Sequence, residues 1–242
     1  MGPGTLDWIA LAIFSLAVPV ASVAAFRQLR ARLADGDKGA RLASYRRTIG
    51  LQWGALAFVI LVWLLEGREL AALGLGVEPS TGFAVTTLLV ALAVAGLLVQ
   101  VTLVRVRPSA VAAARGQMAG VGDLMPRTRP ELRAFLLLSA TAGIVEEVVY
   151  RGYVMAVLGE LGGPVAAVVG STFIFTAGHA YQPATILRVA AVGLVSALLF
   201  LLSGSVLPLI VLHAVIDATS GTIGYYAFRS ESRSAALDEE LR

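Results

Sequence analysis

Seven apolar runs of roughly 20 residues follow one another along this chain, and they constrain its fold more than any other feature. A bilayer core is crossed by about 20 consecutive apolar residues in a helix. In lipid every backbone N–H and C=O must be paired within the protein, so only helices and closed barrels span. These runs are continuous rather than alternating, which selects helices. The runs are Leu6–Phe26, Thr48–Glu66, Phe83–Val104, Ala134–Leu158, Pro164–Tyr181, Ala184–Leu202 and Val206–Phe228. The expected fold is therefore an all-α, polytopic transmembrane helix bundle of about seven spans. The close pairing of the fifth and sixth runs, which could form one hairpin, makes the range six to eight.

Charge is scarce and its placement is informative. Only 14% of residues are charged, against 57% hydrophobic; soluble domains carry about 25% charged residues. The net charge of +3 does not mark a nucleic-acid binder, because the basic residues lie in connecting segments and near the ends. Arg27, Arg30, Arg32, Lys38, Arg41, Arg46 and Arg47 crowd the first connection, and Arg105, Arg107, Arg115, Arg127, Arg129 and Arg133 the third. The second has only Arg68 against Glu69 and Glu78; the fourth has Glu160, and the sixth no charge. By the positive-inside rule, odd connections face the cytoplasm, the N-terminus lies outside and the C-terminus inside. The expected place is the cell membrane. Nearly all the basic residues are Arg, and Ala and Gly are abundant, which points to a GC-rich bacterial genome.

There are no cysteines, so thiolate nucleophiles, disulfides and Cys-based zinc sites are excluded. No basic region precedes the first run, which is read as a retained helix rather than a cleaved signal. The proline-containing third connection divides the chain. Residues 1–133 hold three helices and basic loops without a site-like polar cluster, 134–228 a helical core with the unusual residues, and 229–242 a short polar tail.

Within the fourth run, GIVEEVVYRGYVM carries Glu146, Glu147 and Arg151. Glu147 and Arg151 stand four apart with Glu first, the favoured order for an intrahelical ion pair. Pairing lowers an insertion cost of roughly 2.5–3.5 kcal/mol per central charge. Glu146 lies about 100° away round the helix. It has no partner in its own span, so its partner comes from another helix. The only two histidines lie in later runs: His179 four residues after Phe175 in FIFTAGH, and His213 four before Asp217 in LHAVID. Lipid rejects such groups singly; facing one another in the bundle they are satisfied.

One carboxylate and two imidazoles can hold and activate a water, with Glu as base and His sharing the proton. Glu and two His are equally a zinc ligand set that leaves an open position for water. Both arrangements point to hydrolysis of an acyl bond. Neither HExxH nor GxSxG is present.

EEVVYRGYV, FIFTAGH and LHAVID, in that order, resemble the three motifs of the CPBP family of intramembrane proteases. That family takes in the type II CAAX prenyl endopeptidases and the bacteriocin-processing or immunity (Abi) proteins. Its pattern is EExxxR, then FxxxH, then HxxxN or HxxxD. The resemblance covers about a third of the chain and implies an endopeptidase acting on a membrane-associated peptide or protein. It implies that Glu146 activates water with help from His179, that His213 and Asp217 complete the site, and that Glu147, Arg151 and Phe175 support it. If a metal is used, one divalent ion such as zinc would sit on Glu146, His179 and His213; no organic cofactor is expected. The expected partners are the lipid bilayer and the substrate, not nucleic acid. Asp217 departs from the Asn of the eukaryotic branch: Asn offers an N–H donor, whereas ionised Asp only accepts. The alternatives are a non-enzymatic immunity or scaffold protein and a proton-coupled transporter.

Overall fold

The computed structural model describes residues 2–240 of the chain, and every regular element among them is helical. Among the described residues, six helical stretches are long and apolar enough to cross a membrane. The first three are α1 (Thr5–Ala34), α2 (Ala40–Leu65) and α3 (Thr81–Val106). A short helix, α4 (Pro108–Gln117), follows α3. The chain is thus a multi-pass, all-α membrane protein, as expected from the runs.

The fourth stretch, Arg129–Gly178, contains the fourth and fifth runs fused. It doubles back at two glycines. Gly162 has φ −148° and ψ 21°, and Gly163 has φ 68° and ψ −164°. Beyond the turn, the Ser171 hydroxyl donates to the Tyr150 carbonyl at 2.8 Å. A straight helix would hold residues 21 apart about 30 Å from each other. The stretch is therefore an antiparallel pair, α5 (129–161) and α6 (164–178), and its two arms bring the number of apolar helical segments to seven. The hairpin continues into α7 (Ile186–Ser203), and the chain closes with α8 (Leu207–Glu240). The polar tail expected from residue 229 continues the backbone of α8 as far as Glu240; residues 241 and 242 lie outside the described residues.

Local sequence sets the boundaries. Thr128 accepts from the Glu131 amide at 3.3 Å, and the Glu131 carboxylate accepts from the Thr128 amide at 3.0 Å. This capping box starts α5, with Pro130 in its first turn. Gly204, at φ 65°, ends α7 in the left-handed conformation.

Charged contacts sort the connections into two ends. At one, Arg68 holds Asp7 at 2.7 Å and Glu160 at 3.4 Å. At the other, Arg30 meets Asp123 at 3.2 Å and Arg188 donates to the Gln117 carbonyl at 3.4 Å. Even connections gather with the N-terminus and odd ones lie opposite, as alternating crossings require.

One expectation needs correction. The first helix contributes to a buried polar centre: Asp7 is fully buried and accepts from the Tyr153 hydroxyl of α5 at 2.7 Å and from Arg68, just past α2, at 2.8 and 2.7 Å. The helix α2 also reaches the candidate site.

Candidate active site

Glu146 is the last residue of regular α-helix before a π-helical segment, Glu147–Val154, inside α5. Single π turns in α-helices concentrate at functional positions. Here the segment carries both Glu147 and Arg151, and with Glu146 the two carboxylates flank one imidazole. Glu147 Oε1 lies 2.7 Å from Nδ1 of His213, and Glu146 Oε2 lies 3.8 Å from its Nε2.

The expected pair of Glu147 and Arg151 is present. Arg151 Nη1 donates to Glu147 Oε1 at 3.0 Å, and both side chains are 1% exposed. Their role is wider than mutual neutralisation. Arg151 Nη2 donates to the Gly193 carbonyl of α7 at 3.1 Å, and its guanidinium stacks over the Phe175 ring at 4.6 Å. A Cβ on Gly193 would stand 3.0 Å from the Phe175 ring, so glycine lets α7 come this close. Phe175 itself is a wall. Its ring touches those of His179 at 4.6 Å and His213 at 6.1 Å.

His179 caps the C-terminus of α6. Its Nδ1 lies 2.8 Å from the Phe175 carbonyl. A carbonyl only accepts, so Nδ1 donates and Nε2 is the nitrogen turned to Glu146, 4.0 Å from Oε2. The same reasoning at His213 makes Nδ1 the donor to Glu147 and leaves Nε2 facing Glu146 and, at 3.8 Å, Asp217 Oδ2. Glu146, His179 and His213 therefore meet at one place. The α6 arm is only about 22 Å long at 1.5 Å per residue. It stops short of a full crossing, which brings His179 to the depth of Glu146. Asp217 sits at the margin, with a side chain 39% exposed.

Two contributors escape a motif reading. Gln52 of α2 donates through Nε2 to Glu146 Oε1 at 2.7 Å. The signal for it was an amide inside the second apolar run, open to the same question as Glu146. Tyr181, just past α6, places its ring 5.9 Å from that of His179. Burial pushes its phenol well above the ordinary tyrosine range, and the carboxylates of Glu146 and Asp217 add to the effect, so the O–H stays protonated.

The chemistry the site can support follows from its unmet atoms. Glu146 Oε2 is buried with no hydrogen-bond partner. Its separations from the two Nε2 atoms, 3.8 and 4.0 Å, are too long for direct hydrogen bonds and within the span of one shared water. Among the described residues, no three of His, Asp and Glu are arranged to hold a metal ion. If an ion binds, Glu146 and the Nε2 atoms of His179 and His213 are the groups that would hold it.

Residues 128–219 match the family model of the type II CAAX prenyl endopeptidase Rce1-like proteins. This segment is similar to that family and contains Glu146, Glu147, Arg151, Phe175, His179, His213 and Asp217. No curated protein and no solved structure matches the chain.

Proposed function

We propose that the protein is an intramembrane endopeptidase that hydrolyses a peptide bond of a membrane-associated protein or peptide. The family match supports proteolysis of the CAAX type in general; the roles of individual residues rest on the site. The observation that carries the reading is Glu146 Oε2, buried, unpaired and turned to the Nε2 atoms of His179 and His213.

In the proposed reaction Glu146 takes a proton from water while the water oxygen bonds to the carbonyl carbon. His179, whose Nε2 faces Glu146, assists by sharing that proton. The tetrahedral adduct collapses with loss of the C–N bond, and the proton on Glu146 passes to the departing amine. His213, fixed by Glu147, and Asp217 complete the site on the side of the carbonyl oxygen. The phenol of Tyr181 is a further donor available to that oxygen. The enzyme would act in the cell membrane, with its basic end in the cytoplasm, on a substrate that shares the bilayer with it.

The test compares cells expressing the wild type, Glu146→Gln or His179→Ala by mass spectrometry of newly formed protein N-termini. Cleavages present with the wild type should vanish with both variants while membrane insertion is unchanged. Wild-type cleavage by both variants would remove the reading. A cellular phenotype retained by Glu146→Gln without cleavage would instead favour an immunity or scaffold role.

A further inference from the structure

We propose that Gln52 is a catalytic residue of this site, holding Glu146 with one end of its amide and the attacking water with the other. The inference rests on the hydrolytic reading above.

Gln52 lies on α2, far outside the matched segment 128–219. Its Nε2 donates to Glu146 Oε1 at 2.7 Å. A carboxylate only accepts, so the NH2 group must face it, and the direction of the amide is fixed. The other end, Oε1, is then a buried acceptor, and it has no partner among the described residues. Glu146 Oε2 is in the same condition. Two neighbouring side chains, already hydrogen-bonded to each other, thus each present one unmet acceptor. Buried acceptors are costly to leave unmet.

Water is the reactant that suits two acceptors. It has two hydrogens, one for Glu146 Oε2 and one for Gln52 Oε1. Held this way, its oxygen lone pairs point away from both acceptors. In the reaction the O–H bond facing Glu146 breaks as the O–C bond forms; the hydrogen on Gln52 stays with the nucleophile, and Gln52 changes no bond. The amide also fixes the carboxylate, so that Oε2 is the oxygen left to act as base. Residues from α2 and α5 then meet at one water, which gives the first helices a chemical duty.

The experiment uses the full-length protein in proteoliposomes. Its probe is an internally quenched peptide spanning the most abundant Glu146-dependent cleavage site found in cells. Gln52→Met keeps the side-chain length and removes donor and acceptor. Its kcat should fall about 30-fold or more with KM within about twofold, because positioning a base and its water acts on the chemical step. Gln52→Asn keeps both groups but withdraws them by one methylene, and its kcat should fall about tenfold. Thermal unfolding of each variant checks the fold; should Gln52→Met fail to insert, the Asn variant decides. A kcat within threefold of wild type for an inserted Gln52→Met, or for Gln52→Asn, overturns the proposal, as does a loss confined to KM. Failure of this inference alone leaves Glu146→Gln inactive. If no cleavage depends on Glu146, the hydrolytic reading fails and this inference with it.

Discussion

His213 and Arg151 share a single acceptor: Glu147 Oε1 lies 2.7 Å from Nδ1 of the imidazole and 3.0 Å from Nη1 of the guanidinium. Glu147 thus ties α8 to α5 inside the bundle while it orients a site histidine. Replacing it by Gln leaves Arg151, 1% exposed, without a counter-charge. Breaking one side of a buried pair costs about 3–5 kcal/mol, whereas apolar replacement of both partners is often neutral. Glu147→Gln should therefore lower the unfolding temperature sharply. Glu147→Leu combined with Arg151→Met should recover most stability yet remain inactive, because His213 has lost its anchor. Thermal unfolding and cleavage, measured side by side, check this; wild-type cleavage by the double variant would reduce Glu147 to a structural role.

Asp7 poses a similar test at the other end. It is fully buried and bonded to Arg68, Tyr153 and the Gly4 amide. Tyr153 belongs to the same π segment as Glu147 and Arg151. Asp7→Ala leaves Arg68 with Glu160 alone and the Tyr153 hydroxyl without its acceptor, so a loss of about 1–3 kcal/mol is expected. Tyr153→Phe removes one hydrogen bond to a charged group and should cost about 1.5–3 kcal/mol. Equal stability of wild type and Asp7→Ala in detergent would contradict the network.

How much of this was legible in the sequence depends on what each residue signals alone. The spans were visible because hydrophobic length is a property of one segment. The convergence of Glu146, His179 and His213 was inferable because ionisable groups in apolar runs need partners and few were available. Gln52 gives a weak signal because an uncharged amide disturbs an apolar run far less than a carboxylate does. Asp7 was passed over because it stands at the edge of its run, where a charge reads as interfacial. The link from Glu147 to His213 was invisible for a different reason. Ideal α-helix geometry turns Glu147 about 100° from Glu146, so the sequence assigns them different neighbours, and the fold brings both to one ring.

The orientation can be read with introduced cysteines, since the chain has none of its own. Val77 is 56% exposed between α2 and α3, and Lys38 lies between α1 and α2. A membrane-impermeant maleimide added to intact cells should label Val77→Cys. It should label Lys38→Cys only after lysis. The reverse pattern would invert the orientation read from the basic loops.

Gly163 makes the turn that returns α6 to the site, and its backbone, φ 68° with ψ −164°, lies in a region open essentially to glycine alone. A side chain there meets no neighbouring atom within 4 Å, so the cost of substitution is conformational rather than steric. Gly163→Ala should destabilise the protein by about 1–3 kcal/mol. Because α6 carries His179, it should also slow cleavage more than an alanine at Gly159, whose added methyl would only make ordinary contact with Ala167 at 3.8 Å. An unchanged unfolding temperature for Gly163→Ala would mean that the hairpin turns in some other way.

Metal removal gives the sharpest division between the two hydrolytic chemistries that Glu146, His179 and His213 suggest by composition. Both Nδ1 atoms are already engaged, one with the Phe175 carbonyl and one with Glu147, so only the Nε2 atoms remain for a ligand. They stand 4.0 and 3.8 Å from Glu146 Oε2, and no metal-holding set of three forms among the described residues. A tetrahedral zinc site, with ligands about 2.0–2.2 Å from the ion, holds its ligand atoms roughly 3.3–3.6 Å apart, so the three groups would need to close by a few tenths of an ångström. Cleavage that survives dialysis against 1,10-phenanthroline and gains nothing from added zinc would mark Glu146 as the free base. Activity lost to the chelator and restored by zinc would place the ion among these three side chains and make Glu146 a ligand rather than the free base.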